Sequence, residues 1–92
     1  MIYGVRPTAA FKRDLKRAER HGYNVALLVE IVKILANGLP LPDKHKDHAL
    51  SGEWSGCRDC HITPDWLLIY EIAEEELILY LTRTGSHSDL FG

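Results

Sequence analysis

An α+β domain is the fold that this 92-residue sequence predicts, and three observations predict it. Two stretches of helical periodicity, each with a polar cap in front and a glycine behind, occupy residues 8–38. From about Trp54 onward the pattern changes to short apolar and aromatic runs separated by breaks of three or four residues. Breaks that short require antiparallel neighbours, so the second half reads as a three-stranded meander carrying both helices on one face. The length suits one domain, residues 1–92, with a single modest core.

Each element has its own reason. Ile2-Tyr3-Gly4-Val5-Arg6 reads as a short strand ended by Pro7. Thr8 caps a first helix that runs to about His21, with Gly22 as its stop and Phe11, Leu15 and Ala18 as its buried stripe. Asn24 caps a second, which runs to Ala36 before Asn37-Gly38. Its apolar residues run nearly all round, which predicts the central packing element. Leu39-Pro40-Leu41-Pro42 cannot continue a helix and opens a long polar connection to about Glu53. Strands are expected over residues 54–62, 66–72 and 77–83, with Ile72 pairing Leu77 and Trp66 opposite Arg83.

The net charge of −2 argues against an indiscriminate nucleic-acid binder. Its distribution is uneven: residues 1–48 hold nine Lys/Arg against five Asp/Glu, and residues 49–92 hold two against eight. Much of the basic excess lies on the first helix, at Lys12, Arg13, Lys16, Arg17 and Arg20, which reads either as a solvated face or as a surface for RNA or a partner. No run of about 18 apolar residues marks a membrane span, and no charged-then-apolar leader is visible, so a cytoplasmic protein with no membrane association is expected.

The residues that carry chemistry crowd into the second half: Lys46-Asp47-His48, His61, Asp65-Trp66, and Arg83 followed by His87. Histidine as a type takes and gives protons near neutrality, and arginine supplies fixed charge for an anionic transition state. In a meander the end of the first strand, the start of the second and the end of the third share one edge. His61, Asp65-Trp66 and Arg83 occupy those three places, with His61 and Arg83 roughly 10 Å apart. A glycine after Arg83 lets the chain bring His87 back over that edge. The expected reaction is attack of a ribose 2′-hydroxyl on its own phosphate, with His87, or else His61 or Asp65, as base, another of these as acid, and Arg83 steadying the charge. Trp66 and Phe91 stack on a base or else fill the core.

Cys57-Arg58-Asp59-Cys60-His61 matches a haem-attachment pattern. On a strand, however, Cys57 and His61 face one way and Cys60 the other, which serves neither haem nor zinc. No haem, metal or other cofactor is expected; a zinc site borrowing His48 and His87 is the alternative.

The runs Leu39-Pro40-Leu41-Pro42, Lys46-Asp47-His48-Ala49-Leu50-Ser51-Gly52-Glu53-Trp54, Arg58-Asp59-Cys60-His61, Pro64-Asp65-Trp66-Leu67-Leu68-Ile69-Tyr70 and Arg83-Thr84-Gly85-Ser86-His87-Ser88-Asp89-Leu90-Phe91 resemble the YafQ-type toxins of the RelE/ParE superfamily. The resemblance covers nearly the whole carboxy-terminal two thirds and is weaker across the two helices. It implies a RelE-like fold and a ribosome-dependent endoribonuclease of a type II toxin–antitoxin pair, one that cuts mRNA in the decoding site and is silenced by a cognate antitoxin. By motif, His48, His61, Asp65, Arg83, His87 and Phe91 stand where the family keeps its active-site residues, with Trp66 beside them. Lys46, Trp66 and Phe91 are the substrate-binding candidates. The chain is less basic than that family tends to be, and some members of the superfamily poison gyrase instead of cutting RNA, so a non-catalytic gyrase-binding module is the rival.

Overall fold

The computed structural model describes residues 1–92 and runs β1 (Gly4–Pro7), α1 (Ala9–Arg20), α2 (Val25–Ala36), β2 (His48–Ala49), β3 (Arg58–Thr63), β4 (Trp66–Ala73), β5 (Ile78–Gly85) and α3 (His87–Phe91). Both long helices start at the caps the sequence predicts. Thr8 Oγ1 accepts from Phe11 N at 3.0 Å, and Asn24 Oδ1 accepts from Ala26 N at 3.1 Å. Each bond satisfies an amide that the first helical turn would otherwise leave unpaired.

The sheet has five strands in the order β1-β5-β4-β3-β2. β3, β4 and β5 form the expected antiparallel meander. β1 adds to it in parallel, from Gly4 opposite Ile78 to Pro7 opposite Leu81, and β2 adds antiparallel to β3. The three-stranded expectation is therefore corrected to a five-stranded mixed sheet. A pairing between the first strand and the last has no local signature, and a strand of two residues is too short to alternate.

Other boundaries shift for physical reasons. The strand expected from residue 54 begins at Arg58, because Gly52–Trp54 form a 3-10 turn and Gly52 and Gly56 hold φ of 65° and 94°. Those values suit glycine and not a strand. The connection after Leu39 holds a second 3-10 turn, Asp43–His45, and then β2. Asp47 ties it down: its Oδ1 accepts from the Tyr70 hydroxyl at 2.7 Å and from Arg58 Nε at 3.2 Å. Burial, followed by this bond to Asp47, pushes the Tyr70 hydroxyl well above its ordinary pKa. Helix α2 buries Leu28, Ile31 and Leu35 but leaves Leu27 and Val29 exposed, so it covers the sheet with one face and is not the centre of the core.

That centre is β4. Leu68 and Tyr70 point into the main cluster with Phe11, Leu28 and Ile31, while Leu67 and Ile69 lie on the other side beneath Leu90 of α3. Leu67, Leu68 and Ile69 are all fully buried, each contributing roughly 1.5–3 kcal/mol by leaving water. The second face, roofed only by α3 and the segment around Trp54, is where most of the reactive side chains gather.

Candidate active site

Alternation along β3 sends Cys60 and Ile62 toward the helices and Asp59 and His61 toward the other face. β2 places His48 directly across from Asp59, with His48 Nε2 3.8 Å from Asp59 Oδ2. Asp59 is only 3% exposed, and its Oδ1 makes no hydrogen bond within the protein. Burial pushes its carboxyl above the usual carboxylate range, while the charges of His48, His61 and His87 pull it the other way. Three imidazoles therefore share the field of one buried carboxyl.

Local structure fixes each imidazole. Lys46, in a left-handed turn at φ 48°, presents its carbonyl to His48 Nδ1 at 2.7 Å. His61 Nδ1 meets the Pro64 carbonyl at 3.3 Å. A carbonyl only accepts, so both Nδ1 atoms carry the proton, and each Nε2 is left to take or give one. His87 opens α3, whose first turn is a capping box: Asp89 N donates to Ser86 Oγ at 3.1 Å and Ser86 N donates to Asp89 Oδ2 at 3.0 Å. Gly85 permits this fold-back, because a Cβ there would stand 3.1 Å from that of Asp89. The His87 ring lies 5.0 Å from Phe91, which meets Trp54 edge-on at 6.0 Å. An exposed aromatic platform thus borders the histidines.

Three other predicted site residues take their places from β4, from β5 and from the turn before β4. Trp66 is buried on the helix side of the sheet, its ring 4.9 Å from that of Tyr23. It is a core residue in this fold, which corrects its assignment to substrate binding; of the two readings of its ring, packing holds. Asp65 is exposed in the tight turn between β3 and β4. Arg83 pairs with Ile69 instead of Trp66, and Ile72 pairs with Leu79 instead of Leu77: Ala73 pairs with Ile78, so the turn falls one residue later than expected, and an irregularity at Ile69/Tyr70 then shifts the register by one more residue before Arg83. The guanidinium reaches to the outer edge of β5, where Nε donates to Asp14 Oδ2 at 2.6 Å. His61 pairs with Leu67, and Leu67 with Gly85, so the residue in line with Arg83 across β4 is Asp59. Lys46 is exposed beside His48.

The sequence model describing the bacterial toxin YafQ of type II toxin–antitoxin systems matches residues 3–92. The chain belongs to the YafQ toxin family. Over 83 residues it is 41% identical to the mRNA interferase toxin YafQ of Escherichia coli K12, covering 89% of this chain and 88% of that protein. Among solved structures, YafQ in the E. coli DinJ–YafQ complex superposes with a TM-score of 0.89 at 37% identity, over 98% of this chain and 99% of that one. A metal-bound toxin from Helicobacter pylori superposes with a TM-score of 0.91 at 42% identity, over 99% and 100%.

Within this YafQ-family fold, two residues escape the sequence reading of the site. Asp59 precedes His61 by two positions on a strand, and period-two alternation is a signal sufficient to place both on one face. Trp54, read as strand, belongs to a turn that closes over the second face beside Phe91. Cys57 and Cys60 pack on opposite faces, as alternation predicts.

Proposed function

We propose that this protein is an endoribonuclease that cleaves mRNA on the ribosome by metal-independent acid–base chemistry and is held inactive by a cognate antitoxin. Membership of the YafQ family supports the toxin assignment, as does 41% identity to a protein named as an mRNA interferase. The observation that carries the chemistry is the buried carboxyl of Asp59, one oxygen of which has no hydrogen-bond partner, with His48 3.8 Å away across the β2–β3 pair and His61 two residues along the same face of β3.

In this reading one imidazole Nε2 takes the proton of the ribose 2′-hydroxyl as that oxygen attacks phosphorus, and a protonated imidazole gives a proton to the departing 5′-oxygen. His87 or His61 is the base and another of the set the acid, with Asp65 at the turn as a further candidate. Asp59 stabilises whichever imidazole is charged, and Arg83 offsets the negative charge that grows on the phosphate oxygens. Phe91, with Trp54 behind it, offers a face on which a base stacks. Dependence on the ribosome follows from how open this face is: a substrate held in register by the ribosome supplies the orientation that the protein lacks. Encounter with ribosomes and mRNA places the protein in the cytoplasm, and no helix is long and apolar enough to cross a membrane.

An E. coli relative has been solved with DinJ, and a small acidic antitoxin covering the basic face of α1 fits the charge distribution here. The test is primer extension on translating mRNA with purified protein. Cuts within codons that appear only when ribosomes are present, and that persist in a chelator sparing Mg²⁺, support the reading. Growth arrest with intact mRNA and inhibited gyrase supports the binding-module rival.

A further inference from the structure

Asp14 sits on the most basic face of the molecule, yet it is only 4% exposed and is the acceptor on which four donors converge. Its Oδ2 accepts from Arg83 Nε at 2.6 Å and from Thr84 N at 3.1 Å, and its Oδ1 accepts from Arg83 Nη2 and Arg17 Nη2, both at 3.2 Å. Topology explains why a carboxylate is there. β1 stops at Pro7, opposite Leu81, while β5 continues to Gly85, so the last residues of β5 pair with β4 on one side and have no strand on the other. The start of α1 takes over that edge: Thr8 N donates to the Leu81 carbonyl at 3.0 Å, Thr8 Oγ1 to the Thr82 carbonyl at 2.8 Å, and Asp14 receives the Thr84 amide.

The geometry at Arg83 goes further than edge capping. A guanidinium has five N–H donors in a rigid plane. The pair with Asp14 is side-on, taking the Nε donor and one on Nη2, so three donors remain on the opposite end of the plane. Arg83 keeps 29% of its side-chain surface exposed and borders a groove of about 380 Å³ also lined by Arg13, Lys16, Arg17 and Arg20. Arg17 extends the network, since its Nη1 lies 3.7 Å from Asp89 Oδ1 in the turn that begins with His87.

We propose that Asp14 is a positioning residue for catalysis: it grips Arg83 side-on so that the free end of the guanidinium is presented to a substrate phosphate, and through Arg17 and Asp89 it couples that orientation to the helix bearing His87. The inference rests on the role assigned to Arg83 above. A guanidinium fixed before the phosphate arrives has no reorientation left to do in the transition state, whereas a free arginine on a strand edge samples many rotamers.

The test is a double-mutant cycle on the full chain, with Asp14→Asn and Arg83→Ala measured alone and together for kcat and KM of ribosome-bound mRNA cleavage. Thermal midpoint and antitoxin binding report the fold. Asp14→Asn is expected to lower kcat about 10- to 100-fold with KM changed less than about threefold, leaving the shape of the pH–rate profile unaltered. In the Arg83→Ala background the same change is expected to add less than about twofold. Arg83→Lys leaves Asp14 in place and keeps the charge but loses the two-bonded fork, so it is expected to lose at least about 10-fold even if Asp14→Asn proves too unstable to assay. Folded Asp14→Asn protein cleaving at the parental rate, an equal loss with or without Arg83, or parental activity in Arg83→Lys overturns the proposal. Parental activity in Arg83→Ala overturns instead the role given to Arg83, and the proposal with it.

Discussion

His48 Nε2 faces Asp59 Oδ2 at 3.8 Å across the short β2–β3 pair, and this contact brings the loop histidine to the same carboxyl that His61 and His87 act upon. Two residues of strand convert a connection that reads as loop into part of the site.

The raised pKa of Asp59 has consequences for stability as well as activity. A folded protein whose carboxyl holds its proton more readily than the unfolded chain bears the cost of ionising that group in full above the folded-state pKa. The cost is relieved as pH falls toward the ordinary carboxylate range. Asp59→Asn, which cannot ionise, is therefore expected to melt at a higher temperature than the parent at neutral pH, with the gap closing as pH falls. Its cleavage rate is expected to drop about 100-fold. Thermal melts across pH check the first expectation and single-turnover assays the second; a variant less stable than the parent at neutral pH contradicts this account of the carboxyl.

His87 stands at the exposed start of α3, outside the core. His87→Ala is expected to slow cleavage about 10²- to 10⁴-fold and to alter the pH–rate profile, with folding and antitoxin binding retained. Arg83→Ala is also expected to slow cleavage, but without moving the profile, because arginine stays charged throughout the accessible range. Parental toxicity in His87→Ala removes this residue from the mechanism.

Gly85 tests whether α3 must close this tightly. A methyl group there would press on Asp89, 3.1 Å away, and open the capping box. Gly85→Ala is expected to cost about 1 kcal/mol or more in stability and about 10-fold in cleavage rate. Denaturant unfolding and the cleavage assay measure the two losses on the same protein.

Trp66 and Phe91 separate core from substrate contact. Trp66→Phe leaves a gap against Tyr23 and is expected to lower stability by about 1–3 kcal/mol with little change in KM. Phe91→Ala is expected to raise KM for ribosome-bound mRNA about 10-fold with a small effect on stability, since the residue is 36% exposed. The opposite pattern would return Trp66 to the substrate.

Much of this organisation is legible in the sequence, and what is not has identifiable causes. The caps Thr8 and Asn24 mark their helices because cap chemistry is local, and the meander follows from its short turns. The partner of Arg83 does not follow, because it depends on where the turn between β4 and β5 falls and on the irregular register at Ile69/Tyr70, and an extra residue in a strand leaves no compositional trace. Asp14 is hidden for a different reason: with Glu19 it is one of two acids among five cations, which read as a solvated face, and only the end of β5 that β1 does not reach, 70 residues away, makes its burial favourable.

The chemistry of the cut ends distinguishes attack by the ribose hydroxyl from attack by water. Attack by the 2′-hydroxyl leaves a 2′,3′-cyclic phosphate, or the 3′-phosphate it opens to, on the upstream fragment and a 5′-hydroxyl on the downstream one. Ribosome-bound mRNA cleaved by the purified protein is expected to carry those ends, in equal yield with a chelator that removes transition metals and spares Mg²⁺. Fragments ending in 3′-hydroxyl and 5′-phosphate, or cleavage abolished by that chelator, would contradict a site built from imidazoles around Asp59.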